Sequence, residues 1–208
     1  MKILLSLLLL VAMASAQHKV PFASKNNTIE LSVTNTATID AANVTVEVKD
    51  VPQWLSFTNP KAQISNLQSN ESSTADFTFS VDKLAPVGKE QKLQFIISSP
   101  TGEKWTKEIA IQVSPPEKFE LFQNYPNPFN PSTTIEYVLP KAGNVSLKIY
   151  DAIGKEVTTL FEGVKDAGFH QHVWNASTVA TGMYIYQLSF KNQKGEFEFY
   201  RKKMLMTK

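Results

Sequence analysis

The feature that most narrows the fold of this chain is a two-residue hydrophobic period that recurs almost from end to end. Apolar residues alternate with polar ones at Ile29, Leu31 and Val33, at Val44, Val46 and Val48, and at Phe77, Phe79 and Val81. The same spacing returns at Leu93, Phe95 and Ile97, and at Ile109, Ile111 and Val113. Beyond residue 130 it continues through Ile135 and Tyr137, then Val145, Leu147 and Ile149, then Phe169 and Val173. Tyr184, Tyr186, Leu188 and Phe190 complete the series. Alternation of this kind sends one side-chain set to a core and the other to water, which is the pattern of antiparallel strands. No stretch has helical spacing. Turn signals such as Ser99-Pro100-Thr101-Gly102 and Asp151-Ala152-Ile153-Gly154 separate the runs. The expected class is all-β, built as two antiparallel β-sandwiches in tandem.

The chain opens with an address. Met1-Lys2 is a short positive start, Ile3 to Met13 is an apolar run broken only by Ser6, and Ala14-Ser15-Ala16 has the small-x-small form of a cleavage site. These are the three parts of a secretory signal peptide over 1–16, with the mature chain starting at Gln17. The apolar run is too short for a bilayer core of about 30 Å. No transmembrane helix is expected in the mature chain.

Proline marks a division. Pro115, Pro116, Pro126, Pro128, Pro131 and Pro140 crowd one region, and Ser114-Pro115-Pro116-Glu117-Lys118 reads as a short stiff linker. The expected domains are 19–114 and 119–208, joined by 115–118. With no cysteine in the chain, both must be stabilised by apolar burial rather than disulfides. The absence of cysteine also excludes a cysteine nucleophile and a thiolate metal site. A formal charge of +2 on 208 residues argues against a protein built to grip nucleic acid.

In the first domain, Leu31-Ser32-Val33-Thr34-Asn35, Val44 to Val48, Val51-Pro52-Gln53-Trp54-Leu55 and Ala85-Pro86-Val87-Gly88 follow one another at strand-and-turn spacing. This pattern resembles the immunoglobulin-like accessory modules of secreted carbohydrate-active enzymes and cell-surface arrays. The resemblance implies a fold rather than an activity. Trp54 and Trp105 are expected to serve packing, with an exposed glycan-stacking platform as the alternative. Triplets of the form Asn-x-Ser/Thr begin at Asn26, Asn43, Asn70, Asn144 and Asn175. In a β-protein rich in Ser, Thr and Asn they are expected to arise by chance rather than as glycan acceptors.

The second domain carries the most specific motif in the chain. It opens with Gln123-Asn124-Tyr125-Pro126-Asn127-Pro128-Phe129. A hairpin signal around Gly154 follows, then Trp174-Asn175-Ala176, then Thr181-Gly182-Met183-Tyr184, and finally Lys202-Lys203-Met204-Leu205-Met206 at the end. In this order and spacing, the segments resemble the type A C-terminal sorting domain of the type IX secretion system of certain Gram-negative bacteria. The resemblance assigns sorting motifs to Tyr125, Pro126, Asn127, Pro128, Phe129, Gly154, Gly182, Tyr184, Lys202, Lys203, Met204 and Leu205. It implies passage through the periplasm to the medium or the outer cell surface, with the type IX secretion machinery as partner. Cleavage, and either release or attachment to surface lipopolysaccharide, would follow. Tyr125 and Phe129 are expected to pin the opening segment to a core. The last strand is expected to offer unpaired backbone and charge to a receptor by strand addition.

Catalytic chemistry is missing from the pattern. No nucleophile elbow or phosphate-cradling glycine loop is present. His170 and His172 share a strand face, but two ligands without a third make a weak metal site, and solvent-facing imidazoles are expected instead. The expected function is therefore that of a non-enzymatic exported protein, without cofactor or metal, whose first domain is an adhesive or spacer module. The alternative is a carbohydrate-binding module with glycan as its ligand.

Overall fold

A computed structural model describes residues 18–191, 195 and 197–208. The expected signal peptide at 1–16, the expected mature start Gln17, residues 192–194 and Glu196 lie outside the described residues. The protein is all-β, with no helix among the described residues. Among them, no helix is long and apolar enough to cross a membrane. The chain divides into two compact units between Ser114 and Pro115.

The first unit contains β1 (His18–Val20), β2 (Asn27–Thr34), β3 (Ala41–Lys49), β4 (Leu55–Phe57), β5 (Lys61–Leu67), β6 (Ser72–Val81), β7 (Glu90–Ser98) and β8 (Lys104–Val113). Five strands form a sheet in the order β1-β8-β7-β3-β5, and three form a second in the order β2-β6-β4. All pairs are antiparallel except β1, which lies parallel to the end of β8 and buries Val20. The inward set is the one the period predicts, apart from Ile109, which is only partly buried. Leu31, Val46, Phe77, Phe79, Leu93, Phe95 and Ile111 join a single core. Phe77 lies at its centre, with its ring centroid 5.0 Å from Phe95 and 6.4 Å from Phe57. Asn35 closes the loop after β2. Its buried amide donates to the Ile39 and Leu67 carbonyls, and its Oδ1 accepts from the Ala37 N–H. Asn26, Asn43 and Asn70 all take positive φ, the conformation that asparagine tolerates best after glycine. Backbone geometry thus gives these three sequon asparagines a structural role.

The second unit contains β9 (Glu120–Leu121), β10 (Ser132–Leu139), β11 (Gly143–Asp151), β12 (Glu156–Lys165), β13 (Gly168–Asn175), β14 (Gly182–Lys191) and β15 (Phe197–Met206). Its sheets are β13-β10-β9 and β12-β11-β14-β15. Ile135, Tyr137, Leu147, Ile149, Tyr186, Leu188 and Met206 are fully buried between them.

One strand departs from the expected parity. Phe169 and Val173 belong to the apolar series, yet Val173 is 66% exposed. β13 pairs with β10 so that His170 lies opposite Tyr137 and His172 opposite Ile135. Directly paired residues share a face, so the imidazoles and Trp174 point inward. A shift of one residue inverts every side chain of a strand, and pairing with β10 sets the register here.

Candidate functional site

The opening segment of the second unit, Phe119 to Pro131, runs beside the last strand. The Phe119 ring stacks on Tyr200 with centroids 3.9 Å apart. Gln123 Nε2 donates to the Lys203 carbonyl at 2.7 Å. Asn127 Oδ1 accepts from the Leu205 N–H at 2.9 Å. The Phe129 N–H donates to the Leu205 carbonyl, and the Thr207 N–H donates to the Phe129 carbonyl, each at 3.0 Å. The outer edge of β15 is therefore covered from Lys203 to Thr207. This corrects the expectation of a free terminal edge. The Lys203 carbonyl, both Leu205 backbone groups and the Thr207 N–H, which face away from β14, already have partners.

A buried polar network holds this segment in place. The Asn124 N–H donates to the Tyr186 hydroxyl, which in turn donates to the Phe122 carbonyl. Asn124 Nδ2 donates to the Pro126 carbonyl and to Thr133 Oγ1, and Thr133 Oγ1 donates to that same carbonyl. Asn124, Thr133 and Tyr186 are all buried. Burial pushes the Tyr186 hydroxyl up to about 12. Buried polar groups are costly unless satisfied, and these satisfy one another. The backbone of Tyr125 exchanges both its hydrogen bonds with Thr134.

The motif residues separate into two sets. Phe129, Tyr184 and Met204 are buried. Phe129 packs on Trp174 with centroids 5.5 Å apart, and Tyr184 meets Trp174 edge-on at 5.3 Å. Tyr125, Pro126, Asn127, Pro128, Lys203 and Leu205 face solvent. The expectation that Tyr125 pins the segment is thereby corrected: its side chain is 82% exposed, and its backbone and Phe129 do the pinning. Lys202 is half-buried on the inward parity of β15. Gly154 takes positive φ in the β11–β12 turn, where Asp151 Oδ1 accepts from the N–H groups of Ile153 and Lys155. Gly182 opens β14 opposite Met206.

Strand register brings distant motifs together. Tyr150 lies opposite Ile185, which lies opposite Lys203. Met183 lies opposite Leu205, which is bonded to Asn127. The turn at Gly154, the start of β14, the end of β15 and the opening segment thus meet at one end of one sheet. Tyr150, Ile185 and Gln187 have no sequence signal beyond being the outward members of alternating strands. Arg201 stands out in the sequence only as part of a basic cluster.

Trp54 and Trp105 are both half-buried and packed against the first unit's core. Trp105 opens β8 opposite Ile97, on the parity that faces inward. Trp54 lies in the loop beyond the far end of β3. The strand registers do not bring the two together.

The two histidines are half-buried rather than solvent-facing. Tyr137 stacks on His172 with centroids 5.9 Å apart, and Phe161 lies 5.2 Å from the same imidazole. His170 Nε2 lies 2.8 Å from the Asp166 carbonyl oxygen. Among the described residues no group of three or more His, Asp or Glu is placed to hold a metal. Burial, with the nearby Lys165 ammonium, holds both imidazoles below their usual value of 6.5. A depressed histidine pKa means that the unfolded chain binds the proton more readily. The second unit should therefore keep its stability above pH 6.5 and lose it as pH falls through the folded-state values. Thermal melts from pH 7.5 to 4.5 should show its transition moving down, and His172→Gln should flatten that slope. A transition that does not respond to His172→Gln would place the acid sensitivity elsewhere.

The comparisons with known proteins bear on this unit. A family model described as a secretion system C-terminal sorting domain matches residues 123–199. The second unit belongs to that family. The matched stretch includes Asn124, the Gly154 turn and Tyr184. No curated protein matches the chain. Among solved structures, the CupB2 chaperone of Pseudomonas aeruginosa is 13% identical, with a TM-score of 0.30, over 89% of this chain and 96% of that one. Dimeric latent PorU of Porphyromonas gingivalis is also 13% identical, with a TM-score of 0.37, over 97% of this chain but only 20% of PorU. At these TM-scores the likenesses carry no argument. The sorting domain marks the protein for type IX export, to the cell surface or the medium.

Proposed function

We propose that this is a non-enzymatic exported protein whose C-terminal sorting domain is read by the type IX secretion machinery, with the first sandwich as cargo. The family match over 123–199 carries this reading. The segregation of its motifs supports it. The buried members build the sandwich, while the solvent-facing ones gather at one end of a sheet. On this reading the chain passes through the periplasm and is then released or attached to surface lipopolysaccharide. The first unit acts as an adhesive or spacer module; its core is a plain apolar sandwich with its aromatics turned inward.

A chimera carrying residues 115–208 behind an unrelated periplasmic protein tests the sorting role. It should reach the surface of a cell that has the type IX machinery and accumulate in the periplasm of a cell without it. Equal surface delivery in both strains, or in neither, would refute the assignment.

A further inference from the structure

The outward face of β12-β11-β14-β15 is concave near the Gly154 turn. Tyr150, Gly154, Ile185, Gln187 and Arg201 line an open groove there of about 370 Å³. Its rim is apolar: Ile153 is 89% exposed at the turn, and Met183 and Leu205 are 42% and 43% exposed one rung away. Isolated exposed apolar residues are ordinary, but several around one concavity mark an interaction site.

The charge around the groove is one-sided. Arg201 Nε donates to Gln187 Oε1, and the guanidinium has no carboxylate partner among the described residues. Lys203 stands beside it on the same face. The two acids nearest the groove, Glu156 opposite Tyr150 and Asp151 next to it, are already engaged. Glu156 is bound to Lys148 at 3.0 Å and accepts from Thr159, and Asp151 accepts the two turn N–H groups. A planar guanidinium with spare donors suits a directed carboxylate better than a diffuse anionic surface. Even with Lys155 of the turn, three cations fall short of the cluster of about 4–8 that membrane attraction needs.

We propose that this groove docks an extended segment of the secretion machinery in which aliphatic side chains flank a carboxylate. The aliphatic groups lie on Ile153, Ile185, Met183 and Leu205, and the carboxylate meets Arg201. This rests on the sorting reading and names the surface through which it works.

The test has two arms, both on the full chain. In the first, the protein is titrated with the peptides acetyl-Leu-Val-Glu-Leu-Val-amide and acetyl-Leu-Val-Gln-Leu-Val-amide, and with phosphatidylserine vesicles, while backbone amide resonances are followed. The glutamate peptide should shift amides at Tyr150–Gly154, Ile185–Gln187 and Arg201–Lys203, and bind about tenfold more tightly than the glutamine peptide. Arg201→Gln should erase that difference. Equal binding of the two peptides, a preference that survives Arg201→Gln, or stronger response to vesicles would overturn the proposal. In the second arm, Ile153→Asp and Arg201→Gln, first shown to melt like the parent, are expressed in a cell with the type IX machinery. Surface delivery should drop about tenfold, leaving a folded periplasmic pool. Normal delivery of both variants overturns the groove while leaving the sorting reading intact, since that reading falls only if the chimera fails.

Discussion

Deletion of Lys202–Lys208 is expected to abolish the folding transition of the C-terminal unit while the N-terminal unit stays folded. The truncated stretch includes Met204 and Met206, both buried in the second core. Losing a buried methionine costs about 2–5 kcal/mol, and two such losses approach the whole stability of a small domain, about 5–15 kcal/mol. The deletion also leaves Phe129 and Asn127 without the Leu205 and Thr207 backbone groups that anchor them. Calorimetry of the full and truncated chains should therefore show one transition lost, and protease should digest the chain beyond residue 114. A truncated protein with both transitions within a few degrees of the parent would refute this account of β15. Loss of export in such a truncation would reflect folding before recognition. Surface substitutions such as Arg201→Gln are the informative ones for sorting.

Phe77→Ala should have an effect of similar size in the other unit. Phe77 is fully buried between Phe57 and Phe95, and truncating a buried phenylalanine costs about 3–5 kcal/mol through lost burial and the cavity left behind. For a domain of this size, about 1 kcal/mol moves the midpoint by roughly 4–8 °C, so the first unit's transition should fall by well over ten degrees. The second unit's transition should not move, because the two cores share no residue. Parallel movement of both transitions would show that the units fold as one.

Much of this architecture is legible without coordinates. A strand's period of two is a local property, so the inward residues of β2, β3, β6, β7, β11 and β14 can be read from the sequence. The β11–β12 turn is equally local, because Asp151 and Gly154 carry the side chain and the backbone freedom that it needs. The sorting resemblance is likewise a linear pattern, and the family model matches residues 123–199 of it.

What the linear sequence leaves open is which segments lie side by side. In β13 both parities contain residues that tolerate burial, and only pairing with Ile135 and Tyr137 turns His170 and His172 inward. A lone aromatic beside proline carries no sign of direction, and the exposure of Tyr125 follows from its backbone pairing with Thr134. The covered edge of β15 depends on contacts between residues 78 apart, such as Asn127 with Leu205. The groove exists only because register sets Tyr150, Ile185 and Lys203 in one row. Alternation is written within each strand. Neighbourhood is settled only when the buried sides of all the strands must fit one core at once.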